Sequence, residues 1–187
     1  MYVVIYRGHC GFIKPWSAVR DGETFSQQFL TPSIIEGIEK KLFPELLSTK
    51  GCVKIIRHKL KYDTMDTQQE QVQTRAWEYK KMKKLYVREK SIIKRTILIN
   101  PILYLAFKDR EDAIKASKEH ICLCRNEDIL LPEHEIIELS EKEFDNLNGF
   151  ELRFGKNNIN SFIVGYNRFD NASPMYGWLE CNGKSVL

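Results

Sequence analysis

Charge is segregated along this chain. Residues 50–95 hold 14 basic and 5 acidic residues, a net of +9, whereas residues 127–151 hold 9 acidic residues and one base, Lys142, a net of −8. A fold that keeps the two stretches apart presents one face to a polyanion and another that repels it. The basic stretch also interleaves Trp77, Tyr79 and Tyr86, whose rings can stack on bases. It mixes planar arginine forks with mobile lysine charges, the combination that grips phosphates. A nucleic acid is the expected partner, and a merely solvated charged surface is the alternative.

With 187 residues, 43% of them hydrophobic, the chain can bury a real core and is expected to form a single domain over 1–187. No apolar run approaches the ~20 residues of a membrane-spanning helix. The opening residues read as a strand rather than a signal peptide, so the expected location is cytoplasmic. Cys10, Cys52, Cys122, Cys124 and Cys181 form an odd, scattered set, which suits buried thiols in a reducing compartment. No second Cys/His pair accompanies Cys122 and Cys124, so no metal and no other cofactor is expected.

Residues 2–7 are β-rich and read as the first strand, followed by a long loop over 8–30 that carries Arg7, His9, Lys14 and Arg20. Thr31 and Pro32 open a helix whose apolar stripe is Ile34, Ile35, Ile38, Leu42 and Phe43. Gly37 inside it costs about 1 kcal/mol relative to Ala and calls for a close approach, either by RNA or by the sheet. Residues 52–62 read as a strand and 63–73 as a polar loop or hairpin tip. Residues 74–93 suit either a helix or the returning arm of a long hairpin. Pro101 marks the apolar segment 95–107 as an edge strand or a bulge. A short helix over 110–120, a strand over 121–125 and an acidic connection over 126–139 follow. Ser140 and Glu143 form a capping-box pattern for a helix over 141–147. Strands over 150–154, 161–168, 174–180 and 184–187 close the chain, with Asn182-Gly183 as a turn. This order describes an α+β domain with helices on one face of an antiparallel sheet. A ferredoxin-like (RRM-like) core with a projecting basic β-hairpin thumb over about 62–94, and C-terminal strands over about 150–187, fits it best.

No Walker loop, GxGxxG, HExxH or GxSxG motif is present, which argues against nucleotide-driven motors, zinc proteases and serine hydrolases. A metal-independent ribonuclease needs only a base and an acid to act on the 2′-hydroxyl and the leaving oxygen. His58, whose neighbours Arg57 and Lys59 depress its pKa, and His120, at the end of a predicted helix, are the candidates.

Thr31-Pro32-Ser33-Ile34-Ile35-Glu36-Gly37-Ile38 resembles the Thr-Pro-Ser-Ala-x-x-Gly-Ile helix start of the Cas-five subunit of CRISPR type I Cascade complexes, a RAMP-superfamily protein. The resemblance is greatest to the type I-C version. It runs from end to end. Phe12, Pro15 and the segment 26–29 match the family's opening loop, and 53–61 its next strand. Arg75 falls near its Arg-containing segment, and 95–104 resembles the strand after its thumb. The segment 162–167, Pro174-Met175-Tyr176 and Asn182-Gly183 resemble its closing strands and turn.

The resemblance implies a subunit that binds the 5′ handle of the CRISPR RNA and caps one end of the backbone filament in antiviral defence. CRISPR RNA, the backbone (Cas-seven type) subunit and the large (Cas-eight type) subunit are then the partners, with no membrane and no small-molecule substrate. Charge and resemblance together give the RNA-binding candidates Arg7, His9, Lys14, Arg20, Arg57, Lys59, Arg75, Trp77, Lys80, Lys81, Lys83, Lys84, Arg88, Lys94 and Arg95. Type I-C members also cut precursor RNA with a Tyr after the first helix and a later Lys-His pair. Here Phe43 stands at the Tyr position, Lys118 and His120 are only the nearest substitutes, and Leu123–Glu127 lacks the family's glycine. Handle binding without cutting is the leading expectation. An active endoribonuclease and a protein-binding mimic of the subunit are the alternatives.

Overall fold

Four consecutive apolar residues without polar alternation suit a strand covered on both faces. Val3, Val4, Ile5 and Tyr6 are all buried in β1 (Tyr2–Arg7), which lies inside the main sheet. The computed structural model describes residues 1–15, 22–73, 76–156, 159–167 and 170–183. After β1 come the short strands β2 (Cys10–Gly11) and β3 (Glu23–Phe25), and then helix α1 (Pro32–Leu42). Next are β4 (Ile55–Lys61), β5 (Thr64–Gln73), β6 (Glu78–Lys80), β7 (Leu85–Val87), β8 (Lys90–Ile99) and β9 (Ile102–Phe107). The chain continues through α2 (Arg110–Ala116), β10 (Ile121–Cys122), β11 (Ile129–Glu138) and α3 (Glu141–Asp145). It closes with β12 (Gly149–Phe154), β13 (Phe162–Asn167) and β14 (Ser173–Asn182).

The protein is a mixed α/β structure with few helices. Eight strands form one antiparallel sheet in the order β10-β11-β1-β9-β4-β12-β14-β13. At its centre β1, β4, β9 and β11 follow one another in sequence as strand, helix, strand, strand, helix, strand, with α1 after β1 and α2 after β9. Successive residues of these strands point to opposite faces. On one face Val4, Tyr6, Leu60, Leu103, Leu105 and Phe107 bury against Ile35, Ile38 and Leu42 of α1 and Ala113 and Ala116 of α2. On the other, Val3 and Ala106 bury against Phe144 of α3. The sequence order predicts helices on a single face. The third helix, started by the Ser140–Glu143 capping box, takes the second face with Phe144 as its buried anchor.

Between β4 and β9 the chain leaves this sheet as a second one. β5 and β8 pair antiparallel along their whole length, from Thr64 opposite Ile99 to Gln73 opposite Lys90, and β8 also takes β2 and β3. Beyond this ribbon β6 and β7 form a small hairpin around residues 81–84. Residues 63–73 are therefore a strand rather than a loop, although their side chains are mostly exposed. Residues 74–93, where described, contain the small hairpin and the start of the returning arm. The apolar segment 95–107 is two strands. Asn100, at a φ of 49°, and Pro101 turn the chain between them, so the proline sits outside both ladders.

Residues 126–139 are corrected too, since most of them form β11, which pairs with β1. The loop over 8–30 contains β2 and β3, and the strand over 121–125 shrinks to β10. Thr31 occupies the N-cap, but its hydroxyl pairs with Ser33 at 3.1 Å instead of capping a backbone amide. Gly37 is exposed, and a Cβ there would meet nothing within 4 Å, so no helix–sheet contact explains it. Gly149 is different. At a φ of 139°, a Cβ would lie 2.6 Å from the Leu60 carbonyl, and only glycine lets β12 join β4. The thiols are not buried: Cys52, Cys124 and Cys181 are exposed, and Cys10 and Cys122 are half-buried. The expected strand over 184–187 lies outside the described residues.

Candidate nucleic-acid interface

Three basic residues of β4, Arg57, His58 and Lys59, face inward. Arg57 and Lys59 alternate with His58, so the pattern of the strand sends the two cations to the α3 side and the imidazole to the α1 side. The Arg57 guanidinium bonds Glu151 at 2.7 Å through Nε and Asp145 at 2.7 Å through Nη2. Burial would lower its pKa, but the hydrogen bonds it donates to Glu151 and Asp145 outweigh that and raise it. The Lys59 ammonium donates to the Phe144, Asp145 and Leu147 carbonyls, each at 3.0 Å, at the C-terminal end of α3. Asp145, Glu151 and Glu180 offer carboxylate oxygens within 4.8 Å of one another. The guanidinium of Arg57 already serves two of these three carboxylates.

His58 is buried, with its ring stacked on Phe154 at 5.8 Å between centroids. Burial, with Arg57 adding to it, holds its pKa down at about 4. His120 is exposed in the turn before β10, where its carbonyl accepts the Lys41 ammonium at 2.5 Å. Phe43 is completely buried, edge-on to Phe107 at 6.0 Å, with the Lys54 ammonium 4.3 Å from its ring centre.

Arg7 and His9, at the end of β1, line an open groove of about 930 Å³ with Lys61, Asn100 and Leu131. Arg7 is ion-paired with Glu133 there. Lys14 is exposed, and its backbone amide meets the Cys124 sulfur at 3.4 Å. Arg20 and Arg75 lie outside the described residues.

The remaining candidates gather on the ribbon and its small hairpin. Tyr79 and Tyr86 are cross-strand partners with ring centres 5.0 Å apart, and both rings are largely exposed. Trp77 is 64% exposed and has the Arg88 guanidinium 5.8 Å from its ring centre. Alternation along β6 and β7 puts Tyr79 and Tyr86 on one face and Lys80 and Leu85 on the other. Lys80 bonds Glu89 and Glu78, and these contacts raise its pKa. Lys81, Lys83 and Lys84 crown the turn, exposed and without an ion pair among the described residues. Met82, at the apex, is fully exposed.

Arg95 is committed midway along the ribbon. It bonds Glu70 at 2.6 Å and lies 5.2 Å from the centre of the Phe12 ring. Arg125 lies 5.5 Å from the same ring and reaches Gln68 of β5 at 3.1 Å. Phe12 and Arg125 thus brace the ribbon against the body of the protein. Sequence reading assigns Arg125 no role, and its only signal there is the nearby Asp128, which it bonds at 2.6 Å.

No family model and no curated protein matches this chain. Among solved structures, it is similar to a chain of a "CRISPR RNA-guided surveillance complex", with a TM-score of 0.52 and 10% sequence identity. The likeness covers 97% of this chain and 89% of that one, and what the two share is the fold. Among the described residues no helix is long and apolar enough to cross a membrane.

Proposed function

We propose that this chain is an RNA-binding subunit of a CRISPR effector complex, a Cas-five-type RAMP protein that holds the 5′ handle of the CRISPR RNA and caps the backbone filament. One observation carries the reading. The central strands run in the order β11-β1-β9-β4, the fourth–first–third–second order of a ferredoxin-like core, and the basic ribbon is inserted between the second and third of them. In this reading the ribbon with its β6–β7 hairpin is the thumb. Trp77, Tyr79 and Tyr86 stack on unpaired bases, while Lys81, Lys83 and Lys84 hold phosphates. The overall likeness to a chain of a CRISPR RNA-guided surveillance complex supports it. CRISPR RNA, a backbone (Cas-seven type) subunit and a large (Cas-eight type) subunit are the proposed partners, in the cytoplasm.

The buried Phe43 supports binding over cutting, since a phenyl ring has no proton to exchange and this one is closed off by Phe107 and Lys54. Incubating the purified protein with labelled repeat RNA, without metal, tests both points on one gel. A shifted band without a cut product is the expected result. Cleavage at one position would assign the endoribonuclease reading and send mutagenesis to His120. No shift, alone or with backbone subunits added, would overturn RNA binding and leave the protein-binding mimic.

A further inference from the structure

The two faces of the β5–β8 ribbon differ in what they are bonded to. Residues opposite one another in an antiparallel pair share a face. One face therefore carries Gln68 with Arg95 and Glu70 with Ile93. That face is bonded across the ribbon by Arg95 and Glu70 and tied to the body of the protein by the Arg125–Gln68 bond. The other carries Gln69 with Lys94, Gln71 with Ile92 and Gln73 with Lys90, and all six are exposed. Exposed and half-buried residues alternate in phase over 69–73 and 90–95, so these six form one continuous surface. No side-chain hydrogen bond ties Gln69, Gln71 or Gln73 to another described residue.

We infer that this face is a base-reading track for an adenine-containing single strand. The inference rests on the RNA-binding reading and adds sequence preference to it. A glutamine amide donates and accepts side by side, which matches the adjacent amino group and ring nitrogen of adenine. In a single strand those base edges are open to such pairing. Alternate residues of a strand lie roughly 6.8 Å apart, so the three amides span about two or three successive bases of an extended chain. Ile92, 60% exposed in the middle of the track, gives a base an apolar surface. Lys90 and Lys94 supply charge at its two ends. Glu23 of β3 lies beside Lys94 in register, which leaves Lys90 the stronger phosphate ligand.

The test is fluorescence anisotropy of the whole chain with short labelled oligoadenylate and oligouridylate at one salt concentration. The unmodified protein is expected to prefer oligoadenylate by about fivefold or more. In the Gln69→Ala/Gln71→Ala/Gln73→Ala variant the two affinities are expected to converge. A salt series on that variant should give the parent's slope, because every cation that holds a phosphate is still present. Gln71→Met keeps the length of the side chain without its amide, and is expected to weaken the preference with the melting temperature unchanged. A preference that survives the triple variant, or equal affinities in the unmodified protein, overturns the track and leaves RNA binding standing. Failure of the unmodified protein to bind either RNA, alone or with backbone subunits added, overturns both.

Discussion

Arg57 and Lys59 belong to the same basic stretch as Lys81, Lys83 and Lys84, but the fold uses the two groups in opposite ways. The first pair lies under α3 with every partner supplied from inside: two carboxylates for the guanidinium and three carbonyls for the ammonium. The lysines of the distal turn meet solvent. A count of positive charge therefore overstates the surface available to a polyanion, because a cation held by a buried carboxylate cannot be withdrawn from it without leaving an unpaired charge behind.

Breaking the inner group is expected to have the largest effect. Arg57→Ala leaves Glu151, only 2% exposed, without its partner, at a cost of about 3–5 kcal/mol, read as a lower urea midpoint. RNA affinity per folded molecule should stay the same. Replacing Arg57 by Met and Glu151 by Leu together should cost much less, because no charge is then stranded. An Arg57→Ala protein as stable as its parent would show that the inner cation is dispensable and the contrast false.

Between the two inner cations, His58 makes the interior sensitive to acid. Its pKa is about 4 in the folded chain against the ordinary 6.5, so between those values the unfolded chain binds the extra proton. Stability is then full above about pH 6.5 and falls as the pH drops toward 4, by about 2–3 kcal/mol from this residue. His58→Phe should flatten that part of the stability curve. An unchanged slope would mean that other groups carry it.

At the exposed end, Trp77→Ala should weaken RNA binding by about 1–3 kcal/mol and leave the melting temperature where it was. A fall in stability with normal affinity per folded molecule would place Trp77 with the inner group instead.

Helices α1 and α3 and the first strand were legible in the sequence because each carries its own signal. Pro32 and the stripe from Ile34 to Phe43 mark α1, Ser140 and Glu143 mark α3, and the run from Val3 to Tyr6 marks β1. β5 and β11 were not legible. β5 is polar on both faces and is a strand only because β8 pairs with it along its whole length. β11 hides its alternation behind Pro132 and an irregularity in its register with β1. Of the site, the distal lysines and aromatics could be read from charge and composition. The inward turn of Arg57 could not, since its partners Asp145 and Glu151 lie 88 and 94 residues further along.

Lys80 gives the smallest effect and the sharpest comparison, because it combines both roles within the small hairpin. Its ammonium already serves Glu89 and Glu78, on the face away from Tyr79 and Tyr86. Lys81, Lys83 and Lys84 have no such partners among the described residues. Replacing those three by glutamine should flatten the log–log salt dependence of RNA affinity by about 0.7 for each phosphate no longer neutralised. Lys80→Gln should change it by less than Lys83→Gln, since binding releases little counterion from a cation already neutralised within the fold. Equal slopes for the two single variants would show that the carboxylates let Lys80 go when RNA arrives, and that only burial, not pairing alone, removes a cation from the interface.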